Sequence, residues 1–244
     1  MCFVDSDDAL VDNSMSLLLD IALKENVDVL TYGMTRCTAE NMKLVVAHKT
    51  NTVSSLMSGY EYIDKFDFNN GPCWYLLRKA MLGELRFEAG RYAEDGMFTM
   101  AMLMKAKSII HVDNECYYYV QRPSSTTTKR DVAHIAKTVA DYYYAYDYMQ
   151  KLIEAKKNEL SKKGLERCLN RSLTYIFFGA VRLLYLPHNN SRYWYEKLKD
   201  EKLLPINPPY PGLRYKLTCF VLNNYYVFAF VRLLMSNYFL FKNR

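Results

Sequence analysis

MCFVDSDD, residues 1–8, sets a short apolar stub directly before three carboxylates, Asp5, Asp7 and Asp8. Phe3-Val4 reads as the end of a core strand that runs out into an acidic turn. In open α/β sheets, ligand sites are built where strands end. Carboxylate oxygens projected there are hard ligands that suit Mg²⁺ or Mn²⁺ on a diphosphate. The same tetrapeptide equally suits a solvated turn that caps the next helix. A second acidic pair, Glu94-Asp95, opens the helical stretch EDGMFTMAMLMKA at 94–106. Two carboxylates in a helix's first turn are favoured by its dipole whether or not they react. The functional alternative is a general base, an Asp at the floor of a cleft that takes a proton from an attacking hydroxyl.

Between and beyond these pairs the chain reads as strands and helices in alternation, then as helices alone. Ser14 to Asn26 carries apolar residues at helical spacing, capped by Asn13 or Ser14, and Val27 to Met34 reads as a buried strand. KLVVAH at 43–48 is expected to be a strand, Gly59 to Phe66 a short helix, and CWYLL at 73–77 a strand leading into a helix at Arg78 or Lys79. Ser108–Val112 and Cys116–Val120 read as two short strands before the polar loop QRPSSTTTK at 121–129. From Asp131 to Leu186, apolar and Tyr positions recur at helical spacing, predicting two long helices broken near Ser161 to Gly164. Four prolines between Leu204 and Gly212 predict a rigid extended connector. Leu217 to Phe241 is aromatic and aliphatic, but Asn223, Asn224 and Arg232 interrupt it. That pattern fits packing on the domain or an interfacial helix better than a membrane span.

Composition bounds the rest. With 50% hydrophobic residues and only 9 Gly and 7 Pro in 244, the chain has the makeup of a folded protein and excludes a disordered or linker-dominated one. A net charge of +6 without a long basic run points away from nucleic acid. The six cysteines are widely spaced with no CxxC pair, so they read as buried reduced thiols in a cytoplasmic protein. The four histidines are scattered; His111 after the strand Ser108 to Ile110 is either a satisfied structural residue or a late metal ligand.

In order, FVDSDD (3–8), VDVLTYGM (27–34), GPCWYLLRKAML (71–82), RFEAGRYAEDGMF (86–98) and AKSIIHVDNECYYYVQRPSSTT (106–127) resemble the family 2 glycosyltransferases, inverting enzymes with the GT-A fold. The resemblance runs over residues 1–128. It implies an α/β fold: a truncated GT-A-like mixed sheet with flanking helices in residues 1–128, followed by an α-helical C-terminal extension in residues 129–244. It implies transfer of a sugar from a nucleotide-diphosphate-sugar donor to a glycan or lipid-linked acceptor, assisted by Mn²⁺ or Mg²⁺, in bacterial cell-envelope polysaccharide synthesis. Asp5 and Asp7 then correspond to the DxD motif, Asp5 facing the donor and Asp7 ligating the metal. Asp95 corresponds to the catalytic base, with Glu94 shaping the acceptor site beside it. Trp74 falls in the region bordering the acceptor pocket, or is a packed aromatic. Arg122 falls near the donor phosphates, or is a surface arginine. The processive QxxRW pattern is absent, because Gln121-Arg122 is followed by Pro123-Ser124, which favours a non-processive enzyme.

The family's nucleotide-reading half, about 85 to 100 residues by the usual size of such a unit, has no counterpart before the DSDD turn. The resemblance therefore implies the C-terminal part of such an enzyme, with weakened donor binding and an unprotected sheet edge. The expected location is the cytoplasm, with peripheral contact at the inner face of the plasma membrane. A different class of function stands beside this one: a non-catalytic remnant or interaction module that binds a partner or membrane surface through its helical half.

Overall fold

The computed structural model describes residues 1–42, 46–121 and 131–242. The chain divides into two compact units that interleave in sequence. The first comprises Met1–Gly90, Glu94–Thr128 and Ala155–Arg167; the second comprises Arg91–Ala93, Lys129–Glu154 and Cys168–Arg244.

The first unit is a mixed five-stranded sheet with helices against it. Its strands are β1 (Ala9–Leu10), β2 (Val29–Cys37), β3 (Lys49–Val53), β4 (Tyr75–Leu77) and β5 (Ile109–Val120). They lie in the order β1-β5-β2-β4, with β3 also pairing β5. β2 and β5 run parallel; β1 and β3 pair β5, and β4 pairs β2, antiparallel. Leu18 of helix α1 (Ser14–Lys24) packs with Leu30, Tyr32, Ile110 and Tyr117 of the sheet in one buried cluster. Helix α4 (Glu94–Lys105) is enclosed on nearly every side, its methionines Met97, Met100 and Met102 fully buried. A helix apolar all round belongs inside.

Several local expectations shift. Phe3-Val4 is not a strand end: only Cys2 makes a bridge, to Leu76, while the Met1 amine and carbonyl bond the Leu77 carbonyl and amide at 2.6 and 2.8 Å. The outer edge of β4 is thus covered over this short length, where an unprotected edge was expected. Phe3 turns instead into a stack of rings with Phe87 and Phe98. The strand expected at 43–48 lies further on, at Lys49–Val53; residues 43–45 are outside the described residues, and His48 precedes the strand. Asn13 holds the N-cap of α1 in a left-handed conformation without a side-chain bond, and the Ser14 hydroxyl donates to the Val11 carbonyl at 2.6 Å instead of capping.

The two short strands expected at 108–112 and 116–120 are one. β5 is continuous, and its register against β2 slips on either side of Gly33, so that Tyr32 faces Val112 while Met34 faces Tyr117. The polar residues Asp113 to Glu115 that look like a turn in sequence are the bulge. Gly33 eases the close approach at the bulge, since a Cβ there would stand 3.3 Å from the Asn114 carbonyl oxygen. Helix α2 (Gly59–Lys65) depends on a tighter approach: a Cβ on Gly59 would lie 1.7 Å from the Leu103 carbonyl of α4.

The second unit is helical. It is built from most of α5 (Val132–Lys156) and α6 (Lys162–Leu183), whose residues 155–156 and 162–167 belong to the first unit, and from α7 (His188–Asp200), α8 (Leu213–Asn223) and α9 (Tyr225–Lys242). Its core gathers Val139, Ile176, Phe177, Leu183, Leu198 and Phe228. The Asn pair interrupts the apolar segment, as expected, and also ties it to the connector before it. The Asn223 side chain accepts from the Ile206 amide at 2.7 Å and donates to the Ile206 carbonyl at 2.9 Å, clamping the proline connector. Asn224 breaks the helix and accepts from the Val227 amide at 3.2 Å, so that α9 leaves α8 at 105°.

A buried charge organises the start of α5. Asp141 is 2% exposed, and its carboxylate accepts from Arg91 at 2.9 Å, from the Tyr92 amide at 3.0 Å and from Lys137. Burial alone would raise its pKa, but the Lys137, Tyr92 and Arg91 hydrogen bonds outweigh it and hold the carboxyl below its usual 3.8.

Gly59→Ala should lower unfolding stability by about 3 kcal/mol in urea titration, since the clash is with backbone and no side chain can yield. Asp141→Ala should cost about 2–3 kcal/mol at pH 7, because it leaves two cations and an amide without their acceptor. Its wild-type contribution is present above the unfolded pKa and lost as the pH falls through the lower folded pKa. Stability against pH below 4 should therefore fall more steeply in the wild type than in the variant.

Candidate active site

Two acidic segments of the first unit meet through the packing behind them. On α4, Phe98 is buried one turn from Asp95; its ring stacks on Phe87 at 4.2 Å and meets Phe3 edge-on at 5.9 Å. Phe3 lies two residues before Asp5. The aromatic cluster therefore draws the N-terminus of α4 toward the DSDD turn, and the charge of Asp5 acts on Asp95. Thr99 ties the same helix to the Asn70 carbonyl at 2.5 Å, and α4 packs on the 3-10 turn Pro72–Trp74.

The turn itself is held by Tyr117, fully buried in β5. Its hydroxyl accepts from the Asp5 amide at 3.1 Å and donates to Asp8 Oδ2 at 2.8 Å. Asp8 Oδ1 accepts from the Val120 amide at 2.7 Å, and the Asp8 amide closes the turn on the Asp5 carbonyl at 3.1 Å. Asp8 is thereby a structural clasp. Asp5 and Asp7 lie toward the surface of the turn. Partial burial and the Asp8 charge raise the Asp5 carboxyl above its usual range, the Cys73 thiol opposes this with a hydrogen bond, and Asp7 adds a further push upward. Burial in turn drives the Cys73 thiol up to about 12, so it stays protonated as a donor.

Asp95 is the most perturbed carboxyl of the set. Burial raises it from 3.8 to about 6; the Gly96 amide, bonded to Oδ1 at 2.7 Å, pulls it back, and the charges of Glu94 and Asp5 push it up again. Desolvation prevails over the favourable helix N-terminus. At neutral pH this carboxylate is ionised yet more basic than an ordinary Asp, the balance a general base needs.

Trp74 is half-buried against Gly71, and its indole Nε1 is buried with no hydrogen-bond partner among the described residues. Arg122 lies outside the described residues. His111 sits apart from the acidic turn: Nδ1 is 2.7 Å from the Thr31 hydroxyl, and the ring packs on Phe66. Burial lowers its pKa. Tyr117 and Cys73 are site-shaping residues that the sequence did not single out. Tyr117 is one of three tyrosines in CYYYV, and only the strand's phase selects it.

Among the described residues no three His, Cys, Asp or Glu side chains converge as a metal-holding group. Asp5 and Asp7 match instead the sparser manner in which Mg²⁺ is held, by one or two carboxylates and the oxygens of a bound phosphate. Their placement on one turn, with Asp8 occupied elsewhere, fits that donor set.

No family model and no curated protein matches the chain. Among solved structures, it is similar to S. aureus TarS 1-349 in complex with UDP-GlcNAc, with a TM-score of 0.55 at 18% identity, over 82% of this chain and 55% of that one. It is likewise similar to TarS 1-349 in complex with UDP, at a TM-score of 0.53, and to TarS 1-349 alone, at 0.52, both at 18% identity over 82% of this chain and 54% of that one. The chain thus spans about half the length of these structures. At this identity the likeness shows the fold: the mixed sheet with flanking helices, and the helices after it, match the GT-A-like α/β architecture expected from the sequence motifs.

Proposed function

We propose that the first unit serves the transfer of a sugar, with inversion, from a nucleotide-diphosphate sugar to a hydroxyl on a glycan or lipid-linked acceptor. The observation that carries this is Asp95, a carboxylate raised to about 6 at the head of α4 and within electrostatic reach of Asp5 on the DSDD turn. The presence of UDP-GlcNAc and of UDP in the TarS structures supports a nucleotide sugar as donor.

In this mechanism the acceptor hydroxyl attacks the anomeric carbon from the face opposite the diphosphate. Asp95 takes the hydroxyl proton as the new C–O bond forms. The bond between the anomeric carbon and the phosphate oxygen breaks, and its electron pair leaves with the nucleoside diphosphate. A single displacement inverts the anomeric centre. Glu94 raises the basicity of Asp95 through its charge, and Trp74, half-buried beside the 3-10 turn, would border the sugar acceptor with its indole face. Asp7, with Asp5 beside it, would hold Mn²⁺ or Mg²⁺, which when bound supplies positive charge to offset that of the departing diphosphate. Gln121-Arg122 followed by Pro123-Ser124, in place of a QxxRW pattern, favours non-processive transfer.

Two substitutions test the roles separately, using UDP-GlcNAc with Mn²⁺ as probe and UDP release as readout. Asp95→Asn should bind the donor as the wild type does and release UDP at least about 100-fold more slowly. Wild-type turnover should rise with pH through about 6 as Asp95 ionises. The same variant should gain stability at pH 8: a carboxyl whose folded pKa lies above its unfolded one loses stability as the pH climbs from 3.8 to about 6, on the order of 3 kcal/mol. Unchanged UDP release in Asp95→Asn would remove it as the base. Asp7→Asn should abolish the Mn²⁺ dependence of donor binding by calorimetry and leave the melting temperature within a few degrees; retained dependence would place the metal elsewhere.

A further inference from the structure

The second unit ends in two helices with unspent apolar faces. Their inner residues Cys219, Leu222 and Phe228 join the helical core. Their outer residues form rows at helical spacing: Leu213, Leu217 and Phe220 on α8, and Tyr226, Phe230 and Leu234 on α9. Leu213 is 71% exposed and Tyr226 85%. Large apolar side chains repeated along two successive helices are uncommon on a surface that meets only water, and they mark an interaction site.

Charge and geometry select the occupant. After Glu201 the sequence contains no Asp or Glu, while Arg214 and Lys216 are exposed beside the apolar row of α8 and Arg232 lies half-buried on α9. A second copy of the chain would bring these cations against their equals; an anionic surface neutralises them. Among the described residues no single helix is long and apolar enough to cross a membrane; α8 and α9 reach that length and composition only as a pair, bent by 105° at Asn224. Helices that expose apolar and aromatic residues together with basic ones, and turn sharply between them, suit the plane of a lipid interface.

We propose that the outer faces of α8 and α9 form a docking surface for an anionic phospholipid bilayer, with Leu217, Phe220, Phe230 and Leu234 entering the acyl boundary and Arg214 and Lys216 at the headgroups. The surface is independent of the transfer chemistry, since none of its residues belongs to the acidic turn or to α4.

Co-sedimentation of the full chain with vesicles, without substrate, tests it. Binding should be strong to equimolar phosphatidylglycerol and phosphatidylcholine and weak to phosphatidylcholine alone. The Arg214→Gln/Lys216→Gln variant should bind the anionic vesicles more weakly by roughly fivefold per charge removed, and added salt should act in the same direction. The Phe220→Glu/Phe230→Glu variant should lose binding by at least about tenfold. Circular dichroism and melting would check that both variants are folded; should the glutamate variant unfold, the glutamine variant and the lipid comparison decide. Equal binding to both vesicle types, or charge-neutralised protein that binds like the wild type, would overturn the proposal. So would sedimentation equilibrium showing a dimer in place of vesicle binding, which would assign the faces to a second copy.

Discussion

The first unit hangs on the parallel pairing of β2 with β5. Every other strand attaches to one of these two, and the pairing is not uniform along its length. Its slip at Gly33 lets β5 carry extra residues at Asp113 to Glu115 without breaking. Without the slip, the alternation of side chains would put Tyr117 in a different phase, and a change of one residue sends a side chain to the opposite face. The contact between Asn114 and Gly33 thus lies upstream of the clasp that shapes the acidic turn.

How far the sequence reached depended on what each element answers to. Elements held by apolar periodicity were legible: α1, β2, α4, α5 and α6 appear where spacing placed them, within a few residues. Elements chosen by partnering were not. Apolar density pointed to KLVVAH, yet the strand beside the β5 bulge is the polar KTNTV, because an edge position is selected by free backbone groups rather than by burial. Asp113 to Glu115 looks like a turn because its polarity is a property of the bulge. Phe3 looks like a strand residue because nothing local reveals that Phe87 and Phe98 wait for it. In the site, the acidic residues could be singled out from order and spacing, whereas Tyr117 and Cys73 could not, since their roles arise from hydrogen bonds across more than forty residues of chain.

Asp95 and Asp141 show how one side-chain type is given opposite tasks. Both are removed from water. Asp141 finds two cations and an amide, so its charge is welcome and it serves the fold. Asp95 has backbone amides, burial and two neighbouring carboxylates, so its charge is resisted on balance. That imbalance is a standing cost to stability in the first unit, of the kind found where a group is held ready to accept a proton.

The Tyr117 clasp has a thermodynamic corollary. One phenol in the middle of β5 holds both the backbone of Asp5 and the carboxylate of Asp8, so the shape of the turn and the integrity of the strand belong to a single equilibrium. Any molecule that prefers the ordered turn must then draw the sheet toward its folded population by mass action. Conversely, whatever unpairs β5 takes the turn with it, so occupancy of the turn and pairing of the sheet rise and fall together.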